Sequence, residues 1–186
     1  MYKRQVLLVV VFIVGCGGPK KETPKKPMTT AFEAVIKTTE PMTVAMIAKK
    51  GSYNEIGKTI SELMSWVMAN KGNIAGVPFG VYYDDPSKVA AESTRYEICI
   101  PVAPETKGDK QIIVKNLPAM EIASTIYIGP YDKVGATYGK LAGWIIEKGY
   151  EIAGPPREFY HNNPMQVAAE SLKTEIQFPV IKKAEK

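Results

Sequence analysis

One module is written twice in this chain. Residues 43–102 and 121–180 align without a gap at a constant offset of 78, with about a third of the positions identical. Gly51-Ser52-Tyr53 returns as Gly129-Pro130-Tyr131, Trp66 as Trp144, Ile74-Ala75-Gly76 as Ile152-Ala153-Gly154, and Val89-Ala90-Ala91-Glu92-Ser93 as Val167-Ala168-Ala169-Glu170-Ser171. The endings match as well: Glu97-Ile98 with Pro101-Val102 becomes Glu175-Ile176 with Pro179-Val180. A chain built this way must fold two equivalent units and join them about an approximate two-fold axis. The duplication also sorts residues by role. Those shared by both copies serve the common fold, and those unique to one copy are free to serve a site.

Each copy reads as strand, helix, strand, strand. In the second, Met120 to Ile128 alternates, with Ile122, Ile126 and Ile128 on one face and Glu121, Ala123, Thr125 and Tyr127 on the other. Gly129-Pro130-Tyr131-Asp132 then turns the chain. Val134, Tyr138, Leu141, Ala142 and Ile145 form a single helical stripe, matched in the first copy by Ile56, Ile60, Leu63, Met64 and Val67. Lys148-Gly149 and Lys71-Gly72 suit helix ends, with a cation near the last carbonyls and a glycine able to take positive φ. Strands are expected around 156–162 and 174–178, and in the first copy around 78–84 and 96–100.

A βαββ unit alone would expose an apolar face, and two can share one core. The expected fold is α+β: tandem βαββ repeats with pseudo-two-fold symmetry, antiparallel sheets, two helices on one side and a concave ligand groove. The groove is expected along the axis, on the sheet surface facing away from the helices, the usual place for a ligand being a cleft between units. The domain is assigned to residues 40–182, with 183–186 as a short tail.

An address precedes the repeats. Lys3 and Arg4 are followed by an unbroken apolar run, Val6 to Val14, too short to span a bilayer, and then by Ile13-Val14-Gly15-Cys16. Residues 1–16 are therefore read as a lipoprotein signal peptide resembling a bacterial lipobox, with Cys16 as the lipidated residue. Residues 17–39 contain PKKETPKKP and are read as a Lys/Pro-rich flexible tether. This predicts export and lipid anchoring at a bacterial membrane on the periplasmic side, with Gly17-Gly18 favouring the outer membrane slightly.

Charge points the same way. The chain carries 24 basic and 19 acidic residues, a formal charge of +5, but six of the basic and one of the acidic residues lie within 1–27. The folded part is formally neutral, so the basic balance belongs to the leader and its leash and argues for no nucleic-acid partner. With Cys16 assigned to lipid, Cys99 is left alone and no disulfide is expected. A single histidine and no CxxC predict no metal site, and no cofactor is implied.

Comparison of the copies then isolates a carboxylate. Arg157-Glu158-Phe159-Tyr160-His161 corresponds to Phe79-Gly80-Val81-Tyr82-Tyr83. By alternation Phe159 and Val81 point one way, and Glu158, Tyr160, Gly80 and Tyr82 the other. Only the second copy supplies an acid, opposite a glycine, which places one charge and empty space on a symmetric cleft. Tyr127 is also unique, its counterpart being Lys49. Trp66 and Trp144 recur and read first as core. Glu97 with Glu175, and Glu92 with Glu170, read as solvated strand or turn residues, and His161 as peripheral or satisfied.

Tyr127-Ile128-Gly129-Pro130-Tyr131, the helix carrying Trp144, Gly154-Pro155-Pro156 with Glu158-Phe159-Tyr160, and the ending Glu175 to Val180 together resemble the GyrI-like small-molecule-binding domain. That module is also the effector-binding part of AraC-type and multidrug-responsive regulators. The resemblance covers roughly residues 40–182. It implies an aromatic-lined groove for amphipathic, often cationic molecules around one acid, which falls on Glu158, with Tyr160, Tyr127, Trp144 and Tyr82 as ligand-binding candidates. Many relatives place a histidine where Tyr127 stands, and with no DNA-binding segment read in these residues a role in transcriptional regulation is not expected.

Three functions follow as expectations. The first is a membrane-anchored binding protein for small amphipathic, possibly cationic molecules. The second is a hydrolase of small electrophilic compounds, as in some members of that family, with Glu158 as general base on water and Tyr160 or Tyr127 steadying the developing oxyanion. The third is tetrapyrrole binding, suggested by the related SOUL-type fold and resting only on His161. Gyrase inhibition, the activity that named the family, does not suit an exported chain.

Overall fold

A computed structural model describes residues 32–70 and 72–184. Cys16 and most of the tether lie outside these residues. In chain order the strands are β1 (Val35–Thr38), β2 (Met42–Lys50), β3 (Phe79–Tyr82), β4 (Arg95–Pro101), β5 (Ile113–Leu117), β6 (Glu121–Ile128), β7 (Tyr150–Ile152), β8 (Arg157–Tyr160) and β9 (Lys173–Lys182). Helix α1 (Ile56–Ala69) follows β2, and α2 (Gly135–Glu147) follows β6. A 3-10 turn, Tyr53–Glu55 or Tyr131–Lys133, precedes each helix.

All the strand pairings are antiparallel. The sheet runs β1-β6-β9-β8-β3-β4-β2-β5, and β7 pairs separately with β9. The two halves meet at β3 and β8, where Phe79 pairs with Phe159, Gly80 with Glu158 and Val81 with Arg157. Gly80 and Glu158 differ by the repeat offset, so the pseudo-two-fold axis passes between them.

The symmetry reaches further than the alignment of residues 43–102 with 121–180. At the same offset β1 corresponds to β5, and their registers correspond too: Val35 pairs with Ser124, and Ile113 with Met46. Each leading strand adds to the sheet of the other half, so β1 caps β6 and β5 caps β2. This moves the start of the folded domain. Val35–Thr38 is a paired strand, and Phe32, Ala34 and Ile36, partly buried, pack against the core cluster that includes Ala123, Leu141 and Phe178. These residues belong to the core rather than to the tether assigned to 17–39.

Both helices cover one face. A row of cross-strand neighbours, Ile47, Ile98, Gly80, Glu158, Ile176 and Thr125, runs across the sheet centre with all side chains on one side. On that side Leu63 and Val67 of α1 bury against Ile98 and Ile100, and Leu141 and Ile145 of α2 bury against Ile176 and Val180. Each such fully buried aliphatic side chain contributes roughly 1.5–3 kcal/mol. Ile126 and Ile128 are 47% and 63% exposed, so the face of β6 that meets α2 is the one bearing Ala123 and Tyr127. The isoleucine periodicity of β6 thus marks the outer face, except at Ile122, which is buried.

Glycine recurs where the backbone requires it. Gly51 and Gly129 both take φ 146°, a conformation closed to most side chains, at the same turn between strand and helix. Gly149 ends α2 at φ 77°, its N–H donating to the Ile146 carbonyl at 3.0 Å.

Candidate functional site

Glu158 sits at the middle of the row just described, so its carboxyl projects between the two helices. This reverses the expected location of the groove: the acid lies on the helix-bearing face, not on the face turned away. The physical reason is parity. Glu158 pairs with Gly80 and Ile176, Gly80 pairs in turn with Ile98, and the two isoleucines are part of the floor on which the helices pack.

The carboxyl is half-buried and held by tyrosines. Tyr138 of α2 donates to Oε1 at 2.6 Å, and Tyr160 donates to Oε2 at 3.3 Å. Tyr160 also contacts the hydroxyl of Tyr82, its counterpart in the first repeat. Because the Tyr160 hydrogen is directed at Glu158, that shared contact uses the Tyr82 hydrogen. The result is a chain of donors from Tyr82 through Tyr160 to the carboxylate, meeting a second donor from Tyr138.

An outer pair of tyrosines completes the wall symmetrically. Tyr53 lies edge-on to Tyr82 at 5.0 Å between centroids, and Tyr131 edge-on to Tyr160 at 5.7 Å. The Tyr53 hydroxyl is tied to the Asp84 carbonyl at 2.8 Å, which anchors one side.

Space opposite the acid is filled. A Cβ at Gly80 would lie 2.6 Å from Cζ of Tyr82, whose ring folds back over the glycine. Gly80 therefore exists to admit Tyr82 beside Glu158, and the expected void is closed by the Tyr82–Tyr160 contact. Surface cavities among the described residues lie elsewhere, including one of about 120 Å³ beside Arg157 on the other face and one of about 580 Å³ beside Lys49, Lys58 and Tyr96.

Electrostatics at the site are unbalanced. Burial raises the Glu158 carboxyl above the ordinary glutamate range, opposed by the hydrogen bonds from Tyr138 and Tyr160. Burial and the neighbouring Glu158 charge push the Tyr82 and Tyr138 hydroxyls upward; in Tyr160, burial acts first and the neighbouring Tyr82 and Glu158 add to it. All three stay neutral donors at ordinary pH. Among the described residues no cation lies within ion-pair distance of Glu158. Arg157, its neighbour in sequence, projects from the opposite face.

The other sequence candidates fall at different distances from this centre. Tyr82 and Tyr160 line it. Tyr127 stands on the same face but two strands away, and its hydroxyl is spent on the Pro130 carbonyl at 2.9 Å. Trp144 packs beside the α2 core, with Lys148 Nζ 5.6 Å from its ring. Neither touches Glu158. Tyr138, Tyr53 and Tyr131 surround the carboxylate and escaped sequence reasoning. Tyr138 carried a usable signal, since its counterpart is Ile60, but its place in the helical stripe reads as core.

On the opposite face, Glu175 is no solvated strand residue. It is 8% exposed and takes Lys37 at 2.8 Å, Ser124 at 2.6 Å, Gln177 at 3.0 Å and His161 at 3.2 Å. Glu97, its counterpart, takes Lys115 at 3.3 Å. The two lysines are repeat equivalents on β1 and β5, so the exchanged strands are fastened by equivalent ion pairs. Among the described residues, no group of three His, Cys, Asp or Glu side chains is placed to hold a metal.

A family model described as the GyrI-like small molecule binding domain matches residues 32–181. The probable transcriptional regulator YgiV of Escherichia coli K12 is 26% identical over 145 residues, spanning 74% of this chain and 89% of YgiV. The crystal structure of the EcmrR C-terminal domain superposes with a TM-score of 0.73 at 25% identity, covering 81% of this chain and 98% of that domain. The EcmrR chain seen in complex with DNA is longer, and this chain covers 58% of it. The structure of SAV2435 bound to tetraphenylphosphonium shares the fold, with a TM-score of 0.52 and 13% identity over 80% of this chain and 94% of the other.

Proposed function

Because the chain belongs to the GyrI-like small molecule binding domain family, we propose that it captures one amphipathic organic cation over Glu158, between the two helices, while held to a bacterial membrane by lipid on Cys16. The observation that carries this reading is the half-buried Glu158 carboxylate, which has tyrosine donors on both oxygens and no cationic partner among the described residues.

A carboxylate left uncompensated in a partly dry site costs stability that a matching cation returns. Aromatic walls add to the attraction, at about 0.5–2 kcal/mol for each well-placed ring. The axis gives one charge for two halves, which supports a stoichiometry of one. Entry requires the Tyr82–Tyr160 contact to open, so the bound form is a different arrangement of the tyrosines.

Capture is better supported than turnover. Both Glu158 oxygens accept from tyrosines, which makes the carboxylate a weaker base but keeps the negative charge that a cation needs. Tetraphenylphosphonium, which SAV2435 binds, is a suitable probe. Calorimetric titration of the full chain should show one saturable site, weakened tenfold or more in Glu158→Gln, the loss expected for a charged contact. Equal affinity of the two proteins, or no saturation of the wild type, would reject the reading.

A further inference from the structure

The face opposite Glu158 holds a second unbalanced charge. Arg157 is 8% exposed, yet among the described residues its side chain has no carboxylate at ion-pair distance and makes no hydrogen bond. A guanidinium does not shed its proton at any ordinary pH, so it cannot escape the cost of burial by neutralising itself. Its compensation is weak: the ring of Phe79, with the guanidinium carbon 6.0 Å from the centroid, and the Glu97 charge acting from beyond ion-pair distance. Like Glu158, Arg157 is unique to the second repeat: its counterpart is Phe79.

Arg157 borders a cavity of about 120 Å³. Its other polar boundary includes Lys115 and Glu97, and its apolar wall includes Leu117, Pro155 and Pro179. Lys115 and Glu97 are paired at 3.3 Å, so Arg157 leaves one net positive charge at the cavity. Two further lining groups are neutral. Burial pushes the Cys99 thiol up to about 12, with the Glu97 charge adding to it, and burial and Glu97 push the Tyr83 phenol up to about 12.

From the cavity and the unpaired guanidinium we infer a second binding site, centred on Arg157, for a small monocarboxylate with a short alkyl tail. The planar guanidinium offers the two parallel donors that a carboxylate accepts. The apolar wall receives the tail. A single negative charge matches the single surplus positive one, whereas a phosphate would set its second charge against Glu97. The volume equals about four waters, room for a carboxylate carrying two or three carbons.

Propionate titrated into the full chain at constant ionic strength tests the site. One saturable equivalent is expected, weakened about tenfold or more in Arg157→Gln, with phosphate binding more weakly than propionate. Leu117→Phe fills the cavity while leaving the guanidinium in place and should abolish binding as well, so it decides the matter alone should Arg157→Gln fail to fold. Propionate binding that never saturates, survives both substitutions, or is equalled by phosphate would overturn the inference.

Discussion

Gly80 and Glu158 are cross-strand partners at the centre of the sheet and, at the same time, the same position of the two repeats. The pseudo-two-fold axis therefore passes between a residue with no side chain and one with a half-buried acid. Tyr82 takes the room on the glycine side and joins Tyr160 above the axis. Duplication built a symmetric frame, and one substitution gave it a single charge.

Glu158→Gln should stabilise the free protein at neutral pH. Burial raises the folded carboxyl above its unfolded value near 4.3. A raised acid favours folding fully below the unfolded value and loses that contribution as pH rises through the folded one. Above the folded midpoint the wild type carries a buried negative charge that the variant lacks. Thermal unfolding should show the variant midpoint about 2–4 °C higher, the shift that ~1 kcal/mol makes in a domain of this size. The gap should close below pH 4.

Tyr138→Phe removes the shorter of the two donors to Glu158. Because that bond favours the ionised acid, its loss moves the Glu158 ionisation further up. The pH at which tetraphenylphosphonium binding falls to half should rise with it. Stability at pH 7 should drop by about 1.5–3 kcal/mol, as for a hydrogen bond to a charged group. Binding measured across pH, with denaturant unfolding at pH 7, checks both parts.

Gly80→Ala sets a methyl against the Tyr82 ring, 2.6 Å from Cζ. The ring is buried and its hydroxyl is engaged by Tyr160, so it yields only by breaking that contact. A loss of ~1–3 kcal/mol in denaturant unfolding is expected, in the range of core overpacking. The equivalent change on the other repeat is already natural, since position 158 carries a full side chain.

Glu175→Gln probes the other face. Burial opposes ionisation there, but Lys37, Ser124 and Gln177 outweigh it and hold the carboxyl at about 2. A depressed acid stabilises the fold above its unfolded value and loses that contribution as pH falls through the folded one. The variant should be less stable than wild type at pH 7 by about 2–3 kcal/mol. Unfolding followed from pH 5 to pH 2 should show the deficit disappearing.

Much of this arrangement is legible in the sequence because the chain contains its own comparison. The offset of 78 gives the two-fold relation, the β8 alternation separates Glu158 and Tyr160 from Arg157 and Phe159, and the loss of a partner at Gly80 singles out the acid. The side of the sheet was not legible, since alternation fixes which residues share a face but not which face the helices choose. Ile126 and Ile128 suggested the wrong one, being apolar yet exposed. The exchange of β1 and β5 was hidden for another reason. Val35-Ile36-Lys37 and Ile113-Val114-Lys115 correspond, but one identity in three beside a Pro/Lys-rich stretch reads as linker. Tyr138 lay on a helical stripe whose other members are core, and periodicity alone does not tell a buried hydroxyl from a buried ring.

Cation capture requires an ionisable Glu158 whose charge the bound cation stabilises. Carbon-13 NMR of the Glu158 side-chain carboxyl, followed across pH with and without saturating tetraphenylphosphonium, reads this directly. In the free protein its midpoint should lie above the ordinary glutamate value, and with the cation bound it should fall, because ligand and proton compete for the same charge. A midpoint that the cation leaves unchanged would contradict the account.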